Sequence, residues 1–317
     1  MTTSERIIII LLTVVFFNTD FFGQELSNFV DSVKSAKLTQ FKLLKIKSVK
    51  TVYYRIKNNA LDSGKIFNVK EYDSQGNILK LIRPNNTSPF LHGPLWEDSA
   101  YYSYDSIGRK IEEIEFKQGS VTSLRYKYNN KGMMTEEKEF HNGTIYDSTI
   151  NKYDINGNII ESITYYPTSD SVKYSDIYFY NIHNKLITQL WISESIDTLE
   201  RKIIIYDNSK GIVKRISYNR NRKPTFTEIN WFDELGFNIK ETYWFPKNIF
   251  EDKIRYTKKY YKYDEKFDLS QEIEFDNDRY YGKSVYYYND KSLLIEERNY
   301  DENKKLKSII RYFYEYY

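Results

Sequence analysis

The stretch Lys152-Tyr153-Asp154-Ile155-Asn156-Gly157-Asn158-Ile159-Ile160-Glu161 contains the unit from which this chain is built. Its first two residues end one strand, a tight turn follows, and Ile159 begins the next strand. An Asp at the start of such a turn can accept hydrogen bonds from its own backbone, and a Gly three residues later can adopt a positive φ without strain. The stretch therefore predicts a β-hairpin.

The same arrangement recurs nine times, about every 25 residues. An aromatic anchor opens each unit, Asp or Asn follows it directly, and Gly stands four residues after the anchor in five units. The anchors are Tyr72, Tyr104, Tyr128, Tyr153, Tyr180, Tyr206, Phe232, Tyr263 and Tyr288. The predicted structural turn residues are Asp73, Gly76, Asp105, Gly108, Gly132, Asp154, Gly157, Asp233 and Gly236. Asn184 takes the Gly position once, and Gly211 comes one residue late.

The strand after each turn alternates in polarity. Positions six, ten and twelve after the anchor are mostly apolar or aromatic, and position nine is mostly Glu, as in Glu113 and Glu137. Side chains two residues apart share a face of a strand, so the apolar positions are expected on one buried face and position nine on the other. Position eight is polar in every unit although even spacing assigns it to the apolar face. Its charges of both signs suggest cross-strand pairs.

These patterns predict an all-β fold. The expected architecture is a long antiparallel β-meander of hairpin repeats, about nine units of about 25 residues, wound into a twisted or spiral sheet. We expect roughly twenty strands in sequential order.

The Tyr-Asp-x-x-Gly core resembles the YD-repeat (RHS-like) family, over roughly residues 50 to 317. The best matches are Tyr72–Asn77, Tyr104–Arg109 and Tyr153–Asn158. In that family such strands form long spiralling sheets, some enclosing a cargo and others serving in cell-surface contact. The family's conserved core that ends a shell is not evident in this sequence, so the encapsulating role is not carried over. The repeat is also similar to the MORN-variant repeats of some bacterial proteins, which is the alternative resemblance.

The chain divides into three predicted parts. Residues 1–24 resemble a signal peptide, with Arg6 before an apolar run over 7–17 and Gly23 near the cleavage point. Residues 25–48 are expected to cap the repeat array, which occupies 49–317. The chain has no Cys, which excludes disulfides and a lipid-modified cysteine. We expect an exported bacterial protein in the periplasm, at the cell surface or in the medium, with no transmembrane helix in the mature chain.

Nothing in the sequence marks a catalytic, cofactor-binding or metal site. The three histidines lie in different units, no nucleotide-binding or hydrolase motif is present, and no cofactor is predicted. The net charge of +3 gives no field that would attract nucleic acid. Trp96 and Trp191 are possible ligand-binding residues, because they lie off the repeat register or on its more polar face.

The preferred functional hypothesis is a non-catalytic binding or scaffold surface at the cell envelope, with an unknown protein or glycan as partner. One alternative is a secreted glycan-active enzyme, which would need a carboxylate pair outside the repeat pattern. The second alternative is an outer-membrane β-barrel, against which the charges on both faces of the strands argue. The two longest units carry loops near 84–100 and 245–254 whose role the sequence leaves open.

Overall fold

The computed structural model describes residues 40–317 except 41, 58–59, 85–97, 118, 168–172, 194–195 and 247–254. The predicted signal peptide, most of the predicted cap, Trp96 and most of both long loops therefore lie outside the described residues, and the three-part division of the chain stays a prediction.

The described residues form 21 strands, one short 3-10 turn, Asn208–Lys210, and a helical turn that ends at Leu43, ahead of the first strand. In chain order the strands are β1 (Ile46–Lys57), β2 (Ala60–Leu61), β3 (Lys65–Tyr72), β4 (Ile78–Arg83), β5 (Asp98–Tyr104), β6 (Lys110–Lys117), β7 (Ser120–Tyr128), β8 (Met134–His141), β9 (Thr144–Tyr153), β10 (Ile159–Tyr165), β11 (Lys173–Tyr180), β12 (Leu186–Ser193), β13 (Ile196–Asp207), β14 (Ile212–Asn219), β15 (Pro224–Phe232), β16 (Asn238–Phe245), β17 (Arg255–Tyr263), β18 (Leu269–Asp276), β19 (Arg279–Tyr288), β20 (Leu294–Tyr300) and β21 (Leu306–Tyr316).

The sheet closes on itself. Apart from the two-residue β2, which pairs only with β1, each strand pairs antiparallel with the next in the chain, and β21 pairs with β1. The result is a 20-stranded antiparallel β-barrel. The all-β meander was expected, but the prediction of an open twisted or spiral sheet is wrong. An open sheet leaves two edges of unpaired backbone groups, and closure pairs both of them.

The closing seam contains a cluster of buried apolar residues. Ile46 is 1% exposed and Leu293 is 2% exposed, and they form one cluster with Val49 and Tyr72. The Tyr317 N–H donates to the carbonyl of Lys45 at 2.8 Å, which extends the seam beyond β21. Apolar burial therefore supports the one strand pair that no local hairpin brings together.

A β-bulge follows eight of the nine anchor turns. Tyr104 lies opposite Lys110, but Ser103 lies opposite Glu112, so Ile111 is the extra residue. A bulge adds one residue to one strand and reverses the alternation beyond it. Positions eight, ten and twelve therefore share one face, while positions six and nine share the other, which corrects the predicted grouping by moving position six to the face of position nine.

The unit at Tyr206 places its positions eight to twelve on the same faces as the other units, but without a bulge. Its turn contains the 3-10 segment and ends at Gly211 with a φ of 59°. Tyr206 lies opposite Val213, one position later than in the other units, and no bulge follows. One additional turn residue thus replaces the bulge and keeps Arg215 on the same face as Glu113 and Glu137.

The two faces differ in exposure. Directly paired residues share a face, so Ala100, Glu115 and Thr122 lie on one face, and Ser99, Phe116 and Val121 on the other. Ala100 is 2% exposed, whereas Phe116 is 42% exposed. A closed sheet crowds side chains on its concave side and spreads them on its convex side, so we call the face of Ala100 the inner face. The aromatics at position twelve lie on the outer face and are not a buried core, because a single-layer sheet has no second layer to cover them.

The two ends of the barrel are built differently. All nine anchor turns lie at one end, which we call the anchor rim, and each occupies the short interval between an anchor and the next strand. The opposite end, the loop rim, carries connections of varied length, including 84–97, 166–172 and 246–254. Among the described residues, no helix is long and apolar enough to cross a membrane.

Candidate functional site

The anchor turns set the geometry of the hairpins whose side chains form the inner face. In the turn after Tyr153, Asp154 Oδ1 accepts from the N–H groups of Asn156 and Asn158, each at 2.9 Å. The Gly157 N–H donates to the Asp154 carbonyl at 3.2 Å, and Gly157 has a φ of 88°. The other predicted glycines also have positive φ: Gly76, Gly108, Gly132 and Gly236. Asn184, Phe267 and Ser292 adopt the same left-handed backbone where Gly is missing.

Replacing Gly157 by Val is expected to lower the free energy of unfolding by about 1–3 kcal/mol, because a β-branched residue is strained at positive φ. Space does not limit the substitution, since a Cβ would meet only Met133 Sδ, at 3.4 Å. Gly157→Asn is the control and should cost much less, because Asn184 adopts a φ of 57° at the same position of the next unit. Chemical denaturation measures both variants. Equal losses for Val and Asn would show that backbone strain is not the cause.

The turn carboxylate predicts an acid-sensitive contribution to stability. A hydrogen bond from the Asn158 side chain, together with backbone N–H groups, holds the pKa of Asp154 below its usual value. A lowered folded-state pKa gives stability that is complete above the unfolded pKa of about 4 and is lost as the pH falls through the folded value. Asp154→Asn should remove this contribution while keeping the turn, since Asn129 Oδ1 accepts the same bonds in its own unit. Melting temperatures at pH 3 and pH 7 test this, and an unchanged difference between them would contradict it.

The anchor tyrosines connect neighbouring hairpins. The Tyr104 hydroxyl donates to the carbonyl of Ile78 at 2.8 Å, and Tyr128 donates to Lys110 at 2.7 Å. The same bond, to the residue that starts the preceding hairpin's second strand, is made by Tyr153, Tyr180, Tyr206, Tyr263 and Tyr288. This explains a hydroxyl at the anchor position, which packing alone would not require.

Two further turns of the same kind lie at the loop rim, where sequence reasoning missed them. Asn219 Oδ1 accepts from the N–H groups of Asn221 and Lys223, and Asp301 Oδ1 accepts from Asn303 and Lys305. A β-bulge accompanies each turn. Their preceding tyrosines stand at position twelve of their units, which concealed them. The Asp or Asn directly after Tyr was the available signal.

A ladder of Tyr paired with Glu or Gln runs along the inner face. Two residues before the anchor, Tyr lies directly opposite position nine of the same hairpin: Tyr102 opposite Glu113, Tyr126 opposite Glu137, Tyr178 opposite Gln189, Tyr261 opposite Glu272 and Tyr286 opposite Glu297. The inner wall therefore carries polar side chains at these five hairpins, which supply ten of the twenty barrel strands.

Two carboxylates at position nine, Glu113 of the ladder and Glu241 of the unit at Phe232, are held by hydroxyl or ammonium groups. Glu241 accepts from the hydroxyls of Tyr243 at 2.6 Å and Tyr261 at 2.8 Å. Lys110 Nζ lies 2.7 Å from Glu113 and 4.7 Å from the ring centre of Tyr126. The ladder recurs from hairpin to hairpin, which fits a lining and not a catalytic acid–base pair.

An aromatic row crosses the inner side near the loop rim. It runs from His141 through Tyr146, Tyr166 and Tyr174 to Trp191, with successive ring centres 4.2, 5.9, 5.7 and 5.4 Å apart. Trp191 stacks on Tyr174 and is 39% exposed, and Tyr146 is 42% exposed. We call these five residues the aromatic row. Within the described residues it brings the candidate Trp191 together with four rings that do not belong to the repeat pattern.

Polar groups border this row. His141 Nε2 lies 2.6 Å from Glu139 Oε1. Asp176 and Glu200 lie directly opposite Trp191 on the two neighbouring strands. Exposed rings beside carboxylates can stack on an apolar ring face of a ligand and hydrogen-bond its hydroxyl groups. No group of three or more His, Cys, Asp or Glu side chains with metal-binding geometry occurs in the part of the chain that the structure describes.

Comparisons with known proteins leave the family open. No family model matches the chain, and no curated protein is significantly similar in sequence. A solved TcdB2-TccC3-TEV structure is 11% identical over 80% of this chain and 16% of its own, with a TM-score of 0.36. A porin-like protein from Bacteroides uniformis is 8% identical over 86% of this chain and 97% of its own, with a TM-score of 0.37. Another, from Bacteroides vulgatus, is 13% identical over 72% and 95%, with a TM-score of 0.27.

This chain thus spans 16% of the length of the TcdB2-TccC3-TEV structure that it matches. Identities and TM-scores this low do not establish a shared function. The similarity to YD repeats remains a resemblance, which no family model confirms.

Proposed function

We propose that this chain is an exported β-barrel of the bacterial outer membrane that works through its lumen, where polar solutes bind and pass. Closure of β21 onto β1 is the observation that carries the proposal, because it converts the inner face from an open surface into the wall of a cavity. Twenty strands about 4.8 Å apart, tilted by about 40° as in closed barrels, give a ring roughly 125 Å around and about 40 Å across. Barrels of 16–18 strands already hold an aqueous channel.

The lining and the ends of the barrel support this function. Glu137, Tyr126 and Tyr243 are only half-buried, as expected for side chains that border solvent and not a packed core. Short uniform turns at one rim and longer connections at the other are typical of outer-membrane barrels. The even strand number is typical as well.

The outer face has a layered composition. A row of ion-paired charges lies next to the anchor rim, with Arg125 Nε 3.0 Å from Glu112 and Lys152 Nζ 2.7 Å from Glu161. Farther along the strands come isoleucines such as Ile114 and Ile163, followed by an outer band of aromatic side chains that includes Phe116 and Trp244. Under this proposal the charged row lies at the membrane interface, where charges on a barrel cost only about 0–1 kcal/mol.

The aromatic row is the proposed solute site, and an oligosaccharide is the solute class that its exposed rings and adjoining carboxylates suit. The test uses the purified chain reconstituted in planar bilayers, with single-channel current recorded while a maltooligosaccharide is added. We expect channels that the sugar blocks. Trp191→Ala should raise the sugar concentration needed for half-maximal block about tenfold, because the sugar loses its contact with one aromatic ring.

Trp244→Ala is the matched control. Trp244 is also stacked on a tyrosine, with ring centres 5.6 Å apart, and is 41% exposed, but it lies on the outer face. Its loss should leave the block unchanged. If both variants behave like the unaltered protein, the aromatic row is not the site. If the chain forms no channels, the outer-membrane function is wrong.

A second candidate is an envelope barrel that binds its solute without crossing the bilayer. The paired charges on the outer face favour it. So does strand length, because β4 has 6 residues and β10 has 7, whereas a membrane-crossing strand takes about 9–11. A chain that is monodisperse without detergent, makes no channels and still binds sugar through Trp191 would establish this candidate in place of the first.

A further inference from the structure

A groove lies on the outer face beside the loop rim. It has a volume of about 1010 Å³ and is bounded by strands β11 to β14 and by the turn Asn219–Arg222. Phe179, Leu190 and Ile203 line it, and Phe179 is 46% exposed. The volume is at the upper end of the range for small-molecule sites, about 300–1,000 Å³. The groove thus offers an apolar floor to an elongated ligand.

Three arginines border the same groove. Arg201 belongs to β13, and Arg220 and Arg222 belong to the turn; all three are exposed. No described carboxylate forms an ion pair with any of them. Elsewhere on the outer face cations such as Arg125 and Arg311 are paired with glutamates. Unpaired guanidinium groups beside an apolar floor select a ligand that carries an anionic head and a hydrocarbon chain.

Arg222 also holds an unfavourable backbone conformation. Its φ is 57°, at the turn position where five of the anchor turns have Gly. A non-Gly residue in this region is uncommon and carries local strain. The turn thus places a positive charge beside the groove at a position that Gly can also occupy.

We propose that this groove binds a phosphorylated amphiphile, with the acyl chain along Phe179, Leu190 and Ile203 and the phosphate held by Arg201, Arg220 and Arg222. Phosphate is the better fit among anionic heads because several guanidinium groups can each donate to its oxygens. The proposal concerns the outer face and does not depend on the lumen function or on the barrel crossing a bilayer.

The test is calorimetric titration of the purified chain with dodecyl phosphate below its micelle concentration. We expect saturable binding to one site. Dodecyltrimethylammonium should not bind there, and inorganic phosphate should bind at least about tenfold more weakly because it lacks the chain. Arg222→Gly should weaken dodecyl phosphate binding about fivefold or more, without loss of thermal stability, since Gly suits the backbone.

Lys304→Gly is the control. Lys304 has a φ of 62° in the corresponding turn at the same rim, so the substitution removes the same charge and the same strain away from the groove. It should leave binding unchanged. If both variants weaken dodecyl phosphate binding equally, the effect comes from the net charge of the protein and not from the groove, and the proposal is overturned. Binding of both amphiphiles alike, tight binding of phosphate alone, or unchanged binding by Arg222→Gly would each overturn it too.

Discussion

Proline at either Ile309 or Ile310 should destabilise the barrel by about 2–4 kcal/mol, because each loses a backbone hydrogen bond and leaves an acceptor unpaired. Both residues lie between two partner strands. Ile309 is opposite Tyr54 of β1 and Arg298 of β20, and Ile310 is opposite Tyr53 and Glu297. In a closed barrel, the N–H of one position points to β1 and that of the next to β20, so neither is free. Urea unfolding followed by circular dichroism measures both variants.

Ser74→Pro is the control, since it introduces proline at the second position of a turn, where proline is favoured. It should change the free energy of unfolding little. A tolerated proline at only one of the two isoleucines would mean that β21 is an edge strand. The seam, and with it the cavity on which the proposed function depends, would then not exist.

Leu293→Ala should cost about 2–5 kcal/mol, the loss expected for a leucine truncated in a packed core. Leu293 is 2% exposed in the cluster with Ile46, Val49 and Tyr72. Those residues come from β1 and β3, whereas Leu293 precedes β20, so the cavity would form where the two ends of the described sheet meet. Leu235→Ala, in the turn after Phe232 and 48% exposed, is the control and should stay within about 0.5 kcal/mol. Similar losses for both leucines would contradict a packed seam.

The hairpins could be predicted from the sequence because their determinants are local. Asp154 and Gly157 act within one turn. Their residue types indicate the turn conformation, because Asp accepts hydrogen bonds from the turn backbone and Gly adopts a positive φ. The strand faces could not be predicted correctly, because the bulge at Ile111 and its counterparts adds one residue that polarity alone does not reveal.

Closure could not be predicted because it depends on how β1 and β21 meet in space. No local pattern in Ile46–Lys57 or Leu306–Tyr316 specifies the partner strand. The aromatic row was likewise only partly predictable. Trp191 stood out as a residue off the repeat pattern, but Tyr146, Tyr166 and Tyr174 reach it only through the arrangement of β8 to β12.

The seam has a consequence for the order of events in folding. Each hairpin joins residues close in the chain, and seven anchor hydroxyls bond the hairpin made just before them, so assembly can proceed from one unit to the next. The seam instead joins residues such as Lys47 and Glu315, which are 268 positions apart. Bringing such distant residues together costs about 3 kcal/mol more in chain entropy than closing a ten-residue loop. The ring therefore closes last, and until β21 arrives, β1 carries an unsatisfied edge on which a second chain can pair.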